Sequence, residues 1–230
     1  TVTAARCIRI KIGTNATSGV TGAEQISNGV AANAHSVAVG GTFGDSGTAA
    51  IDIIADDSVN ITATVDPTIS FAITDVAVGF GTLSSSQATW ANSGATGTTS
   101  QPATSAGAHE MTVATNAASG YTITYNGATL TNGLNTISVA TITGDADGTP
   151  ASEQFAIAID DNGGNVTIPS AYDYASNNYS FVAGTTTTLA SETIATATET
   201  IDVQYIANVA TTTEAGAYST DVTYIATGNF

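Results

Sequence analysis

The chain has 230 residues, of which 42% are hydrophobic and only 10% charged, with three Lys and Arg against nineteen Asp and Glu. This length accommodates one large β domain or two small ones, and the apolar content suffices for a core, which excludes wholesale disorder. A formal charge of −16 excludes charge-driven binding to nucleic acid or to an anionic membrane surface, and instead favours divalent cations or a basic segment of a neighbour.

All three cations fall at the amino end, as Arg6, Arg9 and Lys11, and none follows from Ile12 onward. Even positions there run Val2, Ala4, Arg6, Ile8, Ile10, Ile12, while Cys7, Arg9 and Lys11 take odd ones. From Cys7 this is period-two alternation, which predicts a strand over residues 1–12 with one apolar and one cationic face. Arg6 falls on the apolar parity, which calls for a bulge or a carboxylate partner. Residues 13–22, GTNATSGVTG from Gly13, have the composition of a flexible linker. Thr21 and Glu24 have capping-box spacing, so a short helix over residues 22–34 is expected at the start of a body spanning residues 23–230.

Strand signals then follow one another. AAIDIIA is compact and apolar; VNITATV alternates as Val59, Ile61, Ala63, Val65; and ISFAI places Ile69, Phe71 and Ile73 on one face. Residues 84–108 are rich in Ser, Thr, Gly and Ala with little pattern, and are expected to be a long surface excursion. HEMTVAT and GYTITYNG resume the alternation, with Asn126-Gly127 and Asn132-Gly133 as expected hairpin turns. QFAIAID aligns Phe155, Ile157 and Ile159, DDNGGN turns the chain into VTI, and IDVQYIANV carries Ile201, Val203 and Tyr205. A last strand carries Tyr218, Val222, Tyr224 and Ala226. Thr, Val, Ile and Tyr suit pleated, half-buried surface, whereas the residues that long helices draw on are scarce. The expected fold is all-β, an antiparallel β-sandwich or jelly roll with an N-terminal extension strand.

The motifs VDPTISFAI, FGTL, HEMTVATNAASGYTITYNG, SEQFAIAI and EAGAYSTDVTYIATGNF, in this order, resemble a pattern of secreted β-sandwich surface proteins from Patescibacteria-type bacteria. The resemblance covers residues 58–230, implies secretion and a sandwich, and transfers no catalytic residue. In architecture, an N-terminal strand, linker and jelly-roll body are similar to TasA-type and archaeal bundling-pilus subunits, which polymerise by donating that strand; this likeness is an analogy of layout.

Chemistry-bearing patterns are sparse. Cys7 is the single cysteine, so an intramolecular disulfide is impossible. His35 and His109 lack zinc-ligand spacing, and no G-x-S-x-G elbow occurs. Asp56-Asp57 and Asp160-Asp161 are adjacent carboxylates, which on a strand point to opposite faces and so do not form a glycosidase pair. No enzyme is expected. Asp145 and Asp147 begin a D-x-D-G pattern with Glu153 downstream, and Asp160 and Asp161 open DDNGGN; these five are the weak candidates for a Ca2+ site, against the plainer reading as turn residues. Trp90 with tyrosines in a row would suit a sugar surface. Tyr121, Tyr125, Tyr205, Tyr218 and Tyr224 follow strand alternation and are expected in the core, which leaves Tyr172, Tyr174 and Tyr179 for exposed contacts. Asn15, Asn60, Asn165 and Asn178 open N-x-S/T sequons.

No run is long and apolar enough to insert in a membrane, and the start at Thr1 is expected to be a mature end left after a signal sequence is removed, for an extracellular or cell-surface location. The expected function is a structural filament subunit, a homopolymer in which Arg6, Cys7, Ile8, Arg9, Ile10, Lys11 and Ile12 form the donor-strand interface with the next subunit. The alternatives are an S-layer or adhesin-like module, with calcium or a host ligand on its acidic face and the strand paired in cis, and a carbohydrate-binding module.

Overall fold

The computed structural model describes residues 32–42, 44, 46–53, 59–94, 96–104 and 106–230. The basic strand of residues 1–12, the linker of residues 13–22 and positions 22–31 of the expected helix lie outside the described residues. The chain divides into two compact units, Thr1–Thr64 and Val65–Phe230.

In the first unit β1 (Ala32–Gly40) and β2 (Ser46–Ile53) form an antiparallel hairpin, with Val37 opposite Ala49 and His35 opposite Ile51. The last positions of the expected helix are therefore strand. His35, Val37, Val39, Ala49 and Ile51 share one parity of the ladder, and AAIDIIA contributes to β2. VNITATV departs from expectation. Residues 59–65 have no strand partner among the described residues, and their alternate apolar side chains are exposed.

In the second unit, the strands are β3 (Ile69–Ile73), β4 (Val78–Gly79), β5 (Thr89–Trp90), β6 (Asn92–Ser93), β7 (His109–Thr115), β8 (Tyr121–Gly127), β9 (Thr141–Ile142), β10 (Gln154–Asp160), β11 (Tyr179–Ser180), β12 (Thr187–Glu192), β13 (Thr196–Asn208) and β14 (Val222–Gly228). A large sheet runs β3-β7-β13-β10-β11-β9, with β5 also on β13, and a smaller one runs β12-β8-β14; β4 pairs β6. The pairings between strands are antiparallel. Period-two patterning makes the two sheets a sandwich: Met111 and Val113 of β7, Ile201, Val203 and Tyr205 of β13 and Phe155, Ile157 and Ile159 of β10 meet Tyr121, Ile123 and Tyr125 of β8 and Leu189 of β12 in one core. The all-β expectation holds, and burial of Tyr121, Tyr125 and Tyr205 follows from their parity.

Some local expectations fail because the outer face of the large sheet is covered too. Ala156 and Ala158 of β10 and Ile206 of β13 form a second core with Ala88, Trp90, Ile142, Tyr174 and Tyr179. Residues 84–108 are thus not only surface: Ala88, Thr89, Trp90 and Ala91 are buried, and Trp90 Nε1 donates to Tyr179 Oη at 3.1 Å. Tyr172, Tyr174 and Tyr179, expected exposed, are buried, Tyr172 in the core between the sheets and the other two in the second core; Tyr172 and Tyr174 sit in 3-10 turns at Ser170–Tyr172 and Tyr174–Ser176. Tyr174 Oη donates to Pro102 O at 2.6 Å. Asn126-Gly127 closes β8 as strand, because Gly127 pairs with Val222, so no turn forms there. Asn132-Gly133 does turn, with Gly133 at φ 90° and Asn132 Oδ1 accepting from the amides of Leu134 and Asn135.

Candidate functional site

A groove of about 1320 Å³ opens at one margin of the sandwich. One wall is the segment from Ile73 through β4 to Leu83; the other is residues 209–221 leading into Val222 and Tyr224 of β14. Both flanking strands are sheet margins: β3 pairs only β7, and β14 pairs only β8, among the described residues. A margin strand presents unpaired backbone donors and acceptors on its free side.

The lining belongs to the core. Ile73, Val78, Phe80, Leu83, Val209, Tyr218, Val222 and Tyr224 are half-buried and pack on the buried cluster, and all face the groove. The floor is aromatic and hydrogen-bonded. Tyr205 of β13 and Tyr224 of β14 join hydroxyls across the two sheets, and His109 Nε2 lies 3.0 Å from Tyr205 Oη. Phe155 stacks on Tyr205 with centroids 6.3 Å apart, and Phe80 meets Phe155 edge-on at 6.4 Å. Burial pushes the Tyr205 and Tyr224 hydroxyls well above the ordinary tyrosine range, so both stay protonated. Burial also lowers the His109 imidazole, with the Glu110 backbone and the Asp75 charge opposing this, and its Nδ1 has no hydrogen-bond partner among the described residues. The rim carries the exposed acids Asp75, Glu214 and Asp221. The surface is therefore a trench of apolar core side chains and polar loop residues, with hydroxyls at its floor and negative charge at its edge.

A second cluster lies on the other face of the large sheet. Asp202 of β13 stands between Glu110 of β7 and Asp160 of β10 in register. Asp202 is buried, and among the described residues its two carboxylate oxygens, with Gln204 Oε1 and Asn208 Oδ1 on the same parity, have no hydrogen-bond partner. Burial, then the Glu110 charge, then the weaker Asp160 charge, raise the Asp202 carboxyl above its ordinary range, against a lowering contribution from the nearby Gly107 backbone.

Of the five acidic residues considered for calcium, four use their carboxylates in turns or on a hydroxyl, and Asp147 joins a turn through its amide. Asp145 Oδ1 accepts the Asp147 amide at 3.1 Å, Asp160 Oδ1 the Asn162 amide at 2.8 Å, and Asp161 Oδ1 the Gly163 amide at 3.1 Å. Glu153 accepts Thr213 Oγ1 at 2.7 Å. Among the described residues no three His, Cys, Asp or Glu side chains gather in a way that would hold a metal ion. Trp90, buried in the second core, presents no sugar-stacking face. Sequence reasoning missed His109 and the groove: HEMTVAT was legible as a strand, but nothing local showed which core residues would be left half-covered. No protein-family profile, curated protein or solved structure matches the chain.

Proposed function

We propose that the protein is a structural subunit of an extracellular filament whose sandwich accepts a β-strand from a neighbouring copy. The observation that carries this reading is the groove itself: core side chains from both sheets are left half-covered between two sheet margins, a geometry that an added strand completes. Such a strand gains backbone hydrogen bonds from a free edge and buries alternate side chains in the trench, which is the physics of β-augmentation. Because donor and acceptor are different surfaces, the contact is head-to-tail and propagates.

Charge supports the same reading. Bodies this acidic repel one another, and the cations of Arg6, Arg9 and Lys11 complement the Asp75, Glu214 and Asp221 rim. The segment bearing them, residues 6–12, is the donor that sequence alone singles out.

The test is electron microscopy of the purified full chain over a range of concentration, beside Val78→Asp, which places a charge on the groove wall. Filaments from the parent and a folded monomer from the variant are expected. A parent that stays monomeric at every concentration, or a variant that polymerises as well as the parent, rejects strand acceptance by the groove.

A further inference from the structure

We propose that the strand which fills the groove is residues 59–65 of a second copy, VNITATV; this rests on the filament reading and replaces residues 6–12 as the donor. Three observations converge on it.

The first is exposure. Val59, Ile61 and Val65 are 85%, 85% and 82% exposed, and with Ala63 they occupy every second position of one short stretch. Exposed single apolar residues are ordinary, but four in strict alternation form one face of a strand. The intervening Asn60, Thr62 and Thr64 suit the solvent face of that strand. Residues 59–65 make no backbone hydrogen bond and no β pairing among the described residues, so a strand-forming sequence is held in the open.

The second is length. The segment has as many residues as β14, Val222–Gly228, whose outer edge is free among the described residues. Alongside β14, its apolar parity would continue the inward parity of Val222, Tyr224 and Ala226, while its polar parity would sit beside exposed Thr223, Ile225 and Thr227.

The third is direction. Asn116 clamps the point where the segment joins the sandwich, donating from Nδ2 to Asp66 O at 2.8 Å and accepting the Thr68 amide on Oδ1 at 2.7 Å. That clamp is at the Ile69 end of β3, where Ile69 pairs Thr115, whereas the groove opens at the Ile73 end, beside His109. The two ends of β3 are separated by about 13 Å of extended strand. The segment's attachment and the groove thus lie at opposite ends of β3, which favours delivery to the next copy over return to its own groove and gives each subunit a donating and an accepting end. The cations of residues 6–12 remain free to offset repulsion between acidic bodies.

The experiment compares filament formation by the full chain, by Ile61→Asp with Val65→Asp, and by Ile8→Asp with Ile10→Asp. Because Ile61 and Val65 are exposed, the first double variant is expected to lose filaments yet keep the melting temperature of the parent monomer, below that of the polymerised parent; a synthetic peptide of residues 59–66 should raise its melting temperature by several degrees. The second double variant is expected to polymerise. Cross-linking checks the site: in a Cys7→Ser background, chains carrying Asn60→Cys, Thr62→Cys or Thr64→Cys are each mixed with Thr223→Cys, and at least one mixture is expected to give an intermolecular disulfide. Filaments that survive Ile61→Asp with Val65→Asp but vanish with Ile8→Asp and Ile10→Asp overturn this donor and leave the filament reading standing. If both double variants abolish filaments, the cross-link decides, and its absence overturns the proposal. A parent chain that never polymerises removes the filament reading itself.

Discussion

Tyr205 and Tyr224 join their hydroxyls across the sandwich, one on the central strand of the large sheet and the other on the margin strand of the small one. His109 Nε2 contacts the same Tyr205 hydroxyl, so this one oxygen ties three strands at the groove floor. Removing the Tyr205 hydroxyl strands two partners, whereas removing that of Tyr224 strands one. Tyr205→Phe is expected to destabilise by about 2 kcal/mol and Tyr224→Phe by about 1 kcal/mol, with urea denaturation as the measurement. Equal costs would show that His109 gains nothing from Tyr205.

His109 gives the fold an acid-sensitive element. Burial lowers its folded pKa below the unfolded value near 6.5, so the unfolded chain takes the proton first as pH falls. Its contribution is fully present above the unfolded pKa and is lost as pH falls toward the folded one. His109→Gln should flatten the loss of stability below about pH 6.5. Thermal melts from pH 8 to pH 5, with and without the substitution, measure this.

Asp202 acts in the opposite sense. Its raised folded pKa means that the native state holds the proton longer, so stability falls as pH rises from the unfolded value through the folded one. Asp202→Asn removes a buried charge flanked by Glu110 and Asp160. It is expected to stabilise the chain at pH 7 by about 1 kcal/mol, with the gain vanishing on acidification to pH near 3. An Asn variant less stable than the parent at pH 7 would mean that the carboxylate has a compensating partner.

Trp90 offers an optical check of the second core. It is the sole tryptophan and 1% exposed, so native fluorescence should be blue-shifted and resistant to iodide quenching. Trp90→Phe loses the bond to Tyr179 and part of the packing, for about 2 kcal/mol; Trp90→Ala should cost about 3–5 kcal/mol. Quenching of the native state as efficient as that of the unfolded chain would contradict this burial.

Gly120 is a position where only glycine fits. Its φ is +70°, and a Cβ there would lie 2.0 Å from Glu192 O on the neighbouring strand β12. Because backbone rather than a flexible side chain is in the way, Gly120→Ala is expected to cost more than about 2 kcal/mol, by chemical denaturation. Gly133→Ala is the control: it has a similar φ of +90° and nothing within 4 Å, so it reports the conformational term alone.

Local patterning determined the all-β class and many inward-facing residues, because period-two alternation is written in neighbouring residues. Phe155, Ile157 and Ile159, or Ile201, Val203 and Tyr205, declare one apolar face without reference to any other part of the chain. What covers the opposite face is not local. Ala156, Ala158 and Asp202 are buried because residues 84–108 and the segment carrying Tyr174 and Tyr179 fold over the large sheet, a decision made by contacts between residues far apart in sequence. Weak patterning in residues 84–108 concealed this, since Ala and Thr serve equally at a surface or under a close-packed cover. The same division applies to function. The acidic composition, the alternating strands and the confinement of all cations to residues 6–11 are written in the sequence itself. Only the tertiary structure left core residues such as Phe80, Val222 and Tyr224 half-covered beside a strand edge that is free among the described residues and held Val59, Ile61 and Val65 in the open, because pairing and burial depend on which partner strand the rest of the fold supplies.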